Sequence, residues 1–227
     1  MTSKPVAVAI DGPSGAGKSS VAKAAARRFH FLYVDTGAIY RTVGLAVRQA
    51  GLDTRDEPGV AALLPGLRIG LDYDENGTQR MTLDGENVSE AIRTPEASIA
   101  ASNVSAMPSV RAFLLEMQRD MARTRDVIMD GRDIGTVVLP EADVKLFLTA
   151  SAEARAERRC RELAQKGLET PYYEVLRDIN FRDEQDSSRA AAPLRAAADA
   201  VTVDTSTLNF EESVDEVCRV IAEKTGR

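Results

Sequence analysis

The chain has 227 residues with 29 Lys and Arg against 35 Asp and Glu, a net charge of −6. That balance argues against a general nucleic-acid binder, whose affinity rests on a basic face that neutralises many phosphates. A single histidine, His30, excludes any multi-histidine metal site, and two distant cysteines, Cys160 and Cys218, suit a reduced, cytoplasmic protein rather than a disulfide framework. No apolar run approaches the ~18 residues of a membrane span, and Met1 to Pro5 shows no export signal before the first strand, so no membrane partner is expected. The length suits one large α/β domain with an insertion.

In chain order, Val6-Ala7-Val8-Ala9-Ile10 predicts a buried strand, followed by Gly12-Pro13-Ser14-Gly15-Ala16-Gly17-Lys18-Ser19. These eight residues fit the pattern G-x-x-x-x-G-K-[ST] at every fixed position. Glycines let such a loop turn its N–H groups onto an anion, a lysine follows β- and γ-phosphate oxygens, and a hydroxyl ligates the magnesium that accompanies a nucleoside triphosphate. Helical spacing of Val21, Ala22, Ala25, Ala26 and Phe29 predicts a helix over Lys18 to Phe29, whose positive dipole end faces the phosphate. His30 is expected at the end of that helix, where a partial positive charge is tolerated.

Phe31 to Val34 predicts a second strand and about Ala38 to Gly51 a second helix, with a short helix between Asp53 and Gly66. Leu67 to Tyr73 and Arg80 to Leu83 flank Asp74-Glu75-Asn76-Gly77, a strong hairpin signal, and a third short strand near Val88 completes an antiparallel insertion over 67–94. Helices are predicted over Pro95 to Ser105 and Val110 to Arg123, with Pro108 as a first-turn residue. The remaining predicted strands are Asp126 to Asp130, Asp143 to Leu148 and Ala200 to Asp204. They are interleaved with helices from Ser151 to Gly167, from Pro171 to about Asp183 and from Phe210 to Lys224. Five apolar strands separated by helices predict a parallel, doubly wound sheet with its ligand site beyond the carboxyl ends of the strands.

Asp130 ends an apolar strand, a position from which a carboxylate reaches phosphate-bound magnesium directly or through water. The segment after it, Gly131 to Thr136, brings Arg132 and Asp133 to the same edge. A cluster of arginines, Arg155, Arg158, Arg159 and Arg161, falls on one predicted helix, where Arg155 and Arg161 read as a solvated face. Residues 182–189 alternate arginine and aspartate with serines and read as a mobile loop whose charges meet a ligand; arginine forks match phosphate oxygens bidentately.

Four segments in this order carry a resemblance: Gly12 to Ser19, Asp35-Thr-Gly-Ala-Ile-Tyr-Arg41, Asp130-Gly-Arg-Asp-Ile-Gly-Thr136, and Arg182-Asp-x-x-Asp-x-x-Arg189 with Ala192-Pro-Leu194. Over essentially the whole chain the sequence resembles the bacterial cytidylate kinase family of phosphate-loop (P-loop) nucleoside monophosphate kinases. The resemblance implies a three-layer α/β/α fold with a five-stranded parallel sheet, an antiparallel insertion in the monophosphate-binding region and a helical lid. It divides a single domain into a core of 1–36, 104–155 and 196–227, a monophosphate-binding region of about 37–103 and a lid of about 156–195. The implied reaction moves the γ-phosphoryl group of ATP to CMP, and to dCMP, giving CDP or dCDP and ADP with Mg2+, in a cytoplasmic monomer without nucleic-acid partners.

Residue by residue, the resemblance places ATP on Gly12, Pro13, Ser14, Gly15, Ala16, Gly17, Lys18, Ser19, Ser20 and Arg158, and the metal on Ser19 and Asp130. Thr36, Arg41 and Arg132 would hold the acceptor's phosphate; some members have Ser in place of Thr36, which also offers a hydroxyl. Ser102, Arg111 and Asp133 would meet the cytosine edge, Asp186 with Arg182 the ribose, and Lys18, Arg132, Arg182 and Arg189 would carry transfer. Arg111 or Arg132 is the expected cation beside Asp133. A phosphate-loop kinase for another small acceptor remains an alternative; a GTPase-type switch is disfavoured because no Asn-Lys-x-Asp segment is present.

Overall fold

A strand apolar on both faces has to be covered on both, and Val8, Ala9 and Ile10 of β1 (Ala7–Asp11) have no solvent exposure at all. The computed structural model, which describes residues 4–75, 77–165 and 167–227, places β1 at the middle of a five-stranded sheet. With β2 (Leu32–Asp35), β6 (Val127–Gly131), β7 (Val144–Thr149) and β8 (Val201–Asp204), the order is β2-β6-β1-β7-β8. The strands run parallel in a three-layer α/β/α arrangement, as expected from the alternation of strands and helices. The neighbours of β1 both come from far along the chain, so β1 sits where the order reverses, and the crevice beyond its carboxyl end is the ligand position of such sheets.

Helices α1 (Lys18–Phe29) and α8 (Phe210–Thr225) cover one face, through Val21, Ala22, Ala25 and Ala26 of the first and Val214, Val217, Val220 and Ile221 of the second. Asn209 caps α8: its side chain accepts from the Glu212 N–H at 3.0 Å, while the Glu212 carboxylate accepts from the Asn209 N–H at 2.8 Å. His30 ends α1 with φ of 57°. Two further helices, α6 (Ala152–Gln165) and α7 (Tyr172–Ser188), pack through Ala156, Val175 and Ile179.

The chain divides into two compact units, Val34–Arg123 and the remainder of the described chain. Within Val34–Arg123, α2 (Thr36–Gln49), α3 (Glu57–Leu63), α4 (Pro95–Ser105) and α5 (Pro108–Thr124) surround Ile39, Val43, Val47, Val60, Met81, Val104 and Leu114. Gly44 lets α2 lie close on α4: a Cβ there would come within 2.8 Å of the Ala100 Cβ. Beside them lies an antiparallel sheet of β3 (Ile69–Tyr73), β4 (Gln79–Leu83) and β5 (Glu86–Asn87), with Ile69 opposite Leu83 and Tyr73 opposite Gln79. The hairpin closes where expected: the Gly77 N–H donates to the Asp74 carbonyl at 2.9 Å and the Thr78 N–H to the Asp74 side chain at 2.8 Å.

Asn76 of the hairpin signal, Lys166 near the end of the predicted sixth helix and Met1–Ser3 of the lead-in lie outside the described residues. Strands β1 and β6 run one residue past their predicted ends, because the parallel ladder continues to the pair Asp11 and Gly131, and β2 likewise ends one residue later, at Asp35. Helix α2 starts at Thr36 rather than Ala38, since the Asp35 carboxylate caps it by accepting from the Ala38 N–H at 3.0 Å. The largest departure is α7, which continues to Ser188 instead of stopping near Asp183. Residues 182–188 contain no Gly or Pro to end a helix, and Asp183 and Asp186, three apart, face one side. No described helix is long and apolar enough to cross a membrane.

Candidate phosphate-loop site

Between β1 and α1 the chain makes the loop of residues 12–17. Gly12 has φ of 147° and a Cβ there would lie 1.9 Å from the Leu148 carbonyl oxygen, so only glycine lets the loop leave the sheet at this point. No acid stands in the first turn of α1, which keeps the positive end of its dipole for a ligand. Lys18 is buried, with its Nζ donating to the Pro13 carbonyl at 2.7 Å. Burial, and then the nearby Arg132 charge, pull the ammonium down to about 7, against the opposing influence of Asp130, Asp11 and Asp186. Ser20 lies exposed one residue beyond Ser19.

Asp130, at the end of β6, is buried and accepts from the Ser19 hydroxyl at 2.7 Å and the Tyr33 hydroxyl at 2.9 Å. Among the described residues no group of three or more His, Cys, Asp or Glu could cage a metal by itself. Mg2+ does not require one: it keeps several waters and takes one or two protein oxygens beside those of substrate phosphates. A hydroxyl and a carboxylate within hydrogen-bond distance beside a phosphate loop are such a donor pair, so the residues present fit the ion.

Asp11 is a buried carboxylate beside the loop to which sequence reasoning gave no part. Its carboxylate is buried and each oxygen takes one backbone N–H of the turn after β6, Ile134 at 2.7 Å and Gly135 at 2.8 Å. Burial, with Asp133 nearby, pushes this carboxyl up to about 6, although both N–H groups oppose the shift. Asp11 closes an apolar strand as Asp130 does, which was the available signal.

The turn that Asp11 holds carries Arg132 and Asp133, and both are in ion pairs with the stretch at the end of α7. Arg132 Nε donates to Asp186 at 2.6 Å, and Arg189 lies 3.4 Å from Asp133 while its Nε donates to the Ala192 carbonyl at 2.6 Å. The structure therefore brings Arg132, Asp133, Asp186 and Arg189 together, and it places Arg189, which sequence reasoning did not assign to this carboxylate, as a cation on Asp133. Arg182 lies exposed on α7. Arg155 is not on a solvated face: its side chain is 5% exposed, grips Asp183 with two nitrogens at 2.9 and 2.6 Å, and donates to the Ser14 carbonyl at 3.0 Å. Arg161 does lie on a solvated face, exposed and 3.9 Å from Glu157. Arg158 donates to the Thr205 hydroxyl at 3.1 Å, to the Thr205 carbonyl and to the Leu208 carbonyl at 3.4 Å.

The other unit holds the remaining residues. Thr36 is buried at the start of α2, five residues before Arg41, whose guanidinium pairs with Asp35 at 2.8 Å. Gln79 brackets the Asp35 backbone, accepting its N–H at 2.7 Å and donating to its carbonyl at 3.2 Å. Nothing in the sequence pattern pointed to that bracket. Arg111 donates to the Ser105 carbonyl at 3.2 Å and lies 5.8 Å over the Tyr40 ring, while the Ser105 hydroxyl donates to the Ser102 carbonyl at 3.0 Å. Ser102 and Arg111 are thus joined through Ser105.

A sequence profile described as cytidylate kinase matches residues 8–223. A cytidylate kinase from Carboxydothermus hydrogenoformans is 48% identical over 217 residues, 96% of this chain and 97% of its own. A cytidylate kinase from Nocardia farcinica is 49% identical over 221 residues, 97% of this chain and 95% of its own. Among solved structures, an uncharacterized protein from Eubacterium ventriosum shares the fold alone, with a TM-score of 0.52, 11% identity and coverage of 97% of this chain and 99% of that one. Because the profile and both relatives run through every segment from which the site is built, the chain belongs to the cytidylate kinase family.

Proposed function

We propose that this protein phosphorylates CMP, and dCMP, with ATP as donor, releasing CDP or dCDP and ADP, as a cytoplasmic monomer that uses Mg2+. The observation that carries this reading is family membership over nearly the whole chain, in relatives of matching length. The acceptor's phosphate oxygen is already anionic near neutral pH, so the reaction needs positioning and charge stabilisation rather than a strong base. That suits a site with arginines and no histidine.

Backbone N–H groups of the loop cradle the donor's phosphates, and Lys18 leaves the Pro13 carbonyl for the β- and γ-oxygens. Ser19 and Asp130 would hold the metal, which when bound neutralises charge on those oxygens. Arg132 exchanges its Asp186 partner for the acceptor's phosphate, freeing that carboxylate for ribose hydroxyls. Arg182 and Arg189 supply positive charge to the transferring group. Thr36 and Arg41 complete the hold on the acceptor's phosphate, and Ser102, Arg111 and Asp133 read the base.

Coupled measurement of ADP release from ATP, with CMP, dCMP, UMP, AMP and a non-nucleotide acceptor offered in turn, tests this. CMP and dCMP should be turned over far faster than the others. Faster turnover of AMP or of the non-nucleotide acceptor, or no acceptor-dependent release, would refute it.

A further inference from the structure

The Arg155 and Asp183 pair has no part in the roles given above, yet it touches the phosphate loop directly. Arg155 stands in the first turn of α6 and is held there by its own Nε, which donates to the Ala150 carbonyl at 2.9 Å. Its stem lies along Gly15, where a Cβ would meet the Arg155 Cβ at 3.4 Å. One guanidinium nitrogen bonds the Ser14 carbonyl at 3.0 Å and Asp183 at 2.9 Å, and the other bonds Asp183 at 2.6 Å. A planar fork in this position is fixed at both ends.

In a trans, planar peptide the carbonyl and the next N–H point in opposite directions. Holding the Ser14 carbonyl on Arg155 therefore also fixes where the Gly15 N–H points, and that N–H belongs to the anion-binding loop. Asp183 in turn fixes Arg155, and sits on α7 one turn before Asp186 and next to Arg182. We infer that Arg155 is a positioning residue for the donor-phosphate loop, and that Asp183 acts through it, so that the aim of the Gly15 N–H depends on the placement of α7. The 183, 186, 189 spacing is then a ladder whose first rung serves the donor and whose other two engage the turn carrying Arg132 and Asp133. This rests on the proposed ATP-donor role, but its test needs only nucleotide binding.

The test is the dissociation constant of a fluorescent ATP derivative, measured for wild type, Arg155→Lys, Asp183→Asn and the double variant, each checked by circular dichroism. Lysine keeps the charge and length but cannot fork, and asparagine keeps the shape of Asp183 without its charge. Arg155→Lys should weaken binding about tenfold or more, Asp183→Asn about threefold to tenfold, in line with the loss of charge-assisted hydrogen bonds. The double variant should be no weaker than Arg155→Lys alone, since the aspartate has nothing left to position. KM for ATP should rise in parallel, while the affinity for CMP alone stays within about twofold of wild type. A purely structural pair would lower the melting temperature without this split. Binding within twofold of wild type in both folded single variants, or effects that multiply in the double variant, overturns the inference. Wild type that binds ATP but does not phosphorylate CMP would refute the functional reading and leave the inference standing on the binding data. Wild type that does not bind ATP overturns both.

Discussion

Replacing Asp11 with Asn sets two effects of similar size against each other, and pH separates them. The carboxylate is buried and titrates near 6 instead of 3.8, about two pH units, which corresponds to about 3 kcal/mol of cost for the charged form at neutral pH. Asparagine removes that cost. It also leaves one acceptor for two buried N–H groups, those of Ile134 and Gly135, at a cost of about 1–3 kcal/mol for the unpaired donor. Near pH 8 the variant should therefore match wild type or exceed it slightly in stability. Because the folded-state pKa lies above the unfolded one, the native protein holds more protons between about 4 and 6, and wild type gains stability as pH falls through that window. The variant has no such gain, so near pH 4 only the lost hydrogen bond remains and it should be the less stable by about 1–3 kcal/mol. Urea unfolding of both proteins at pH 8 and pH 4, read by circular dichroism, gives the stability difference at each pH. A difference that is the same at the two values would refute the raised pKa of Asp11 and its cause in burial.

Lys18→Met should keep the fold but reduce phosphoryl transfer to below about a tenth of wild type, since a lost phosphate-clamping cation costs more than the ~1.4 kcal/mol that tenfold represents. Steady-state rates with CMP check this, and a variant above a tenth contradicts the role given to Lys18. Asp133→Ala should lower kcat/KM for CMP at least about a hundredfold and affect UMP far less, because a carboxylate accepts from the N4 amino group of cytosine and repels the O4 of uracil. An equal fall for both substrates would reduce Asp133 to a brace for Arg189. Amide exchange over residues 182–189 should slow when a bisubstrate analogue binds, as the phosphates draw in Arg182 and Arg189. Unchanged exchange there would count against a closing lid.

The fold was legible where one physical signal dominated. Val8, Ala9 and Ile10 had to be buried on both faces, the phosphate-loop glycines had no other use, and the turn residues after Tyr73 could only close a hairpin. Residues 182–189 misled because their composition is that of a loop: alternating charges and two serines hide the fact that Asp183 and Asp186 share one helix face and find cations on it. Arg155 misled for the same reason, since an arginine among arginines carries no mark of burial. Its environment is set by partners at Ser14 and Asp183, which the chain brings from opposite sides in sequence. Strand-end carboxylates are a different failure: Asp11 and Asp130 show the same local pattern, which carries no sign that Asp11 holds the Ile134 and Gly135 N–H groups. The local patterns reveal which residues stand at the sheet's edge, but long-range pairing decides which of them meet.

The position of β1 between β6 and β7 also has a consequence for biosynthesis. The phosphate loop leaves the ribosome ahead of the strand that pairs with β1 at Val127, which follows only after the whole of Val34–Arg123. At about 5–20 residues per second that interval is on the order of 6–23 s, during which β1 is an apolar strand without its neighbours. The intervening unit is continuous in sequence and has its own buried cluster, so it contains what it needs to form in the meantime. The loop after β1 thus becomes a site only well after it is made, and the burden on holding chaperones falls on residues 7–11 rather than on the insertion that delays them.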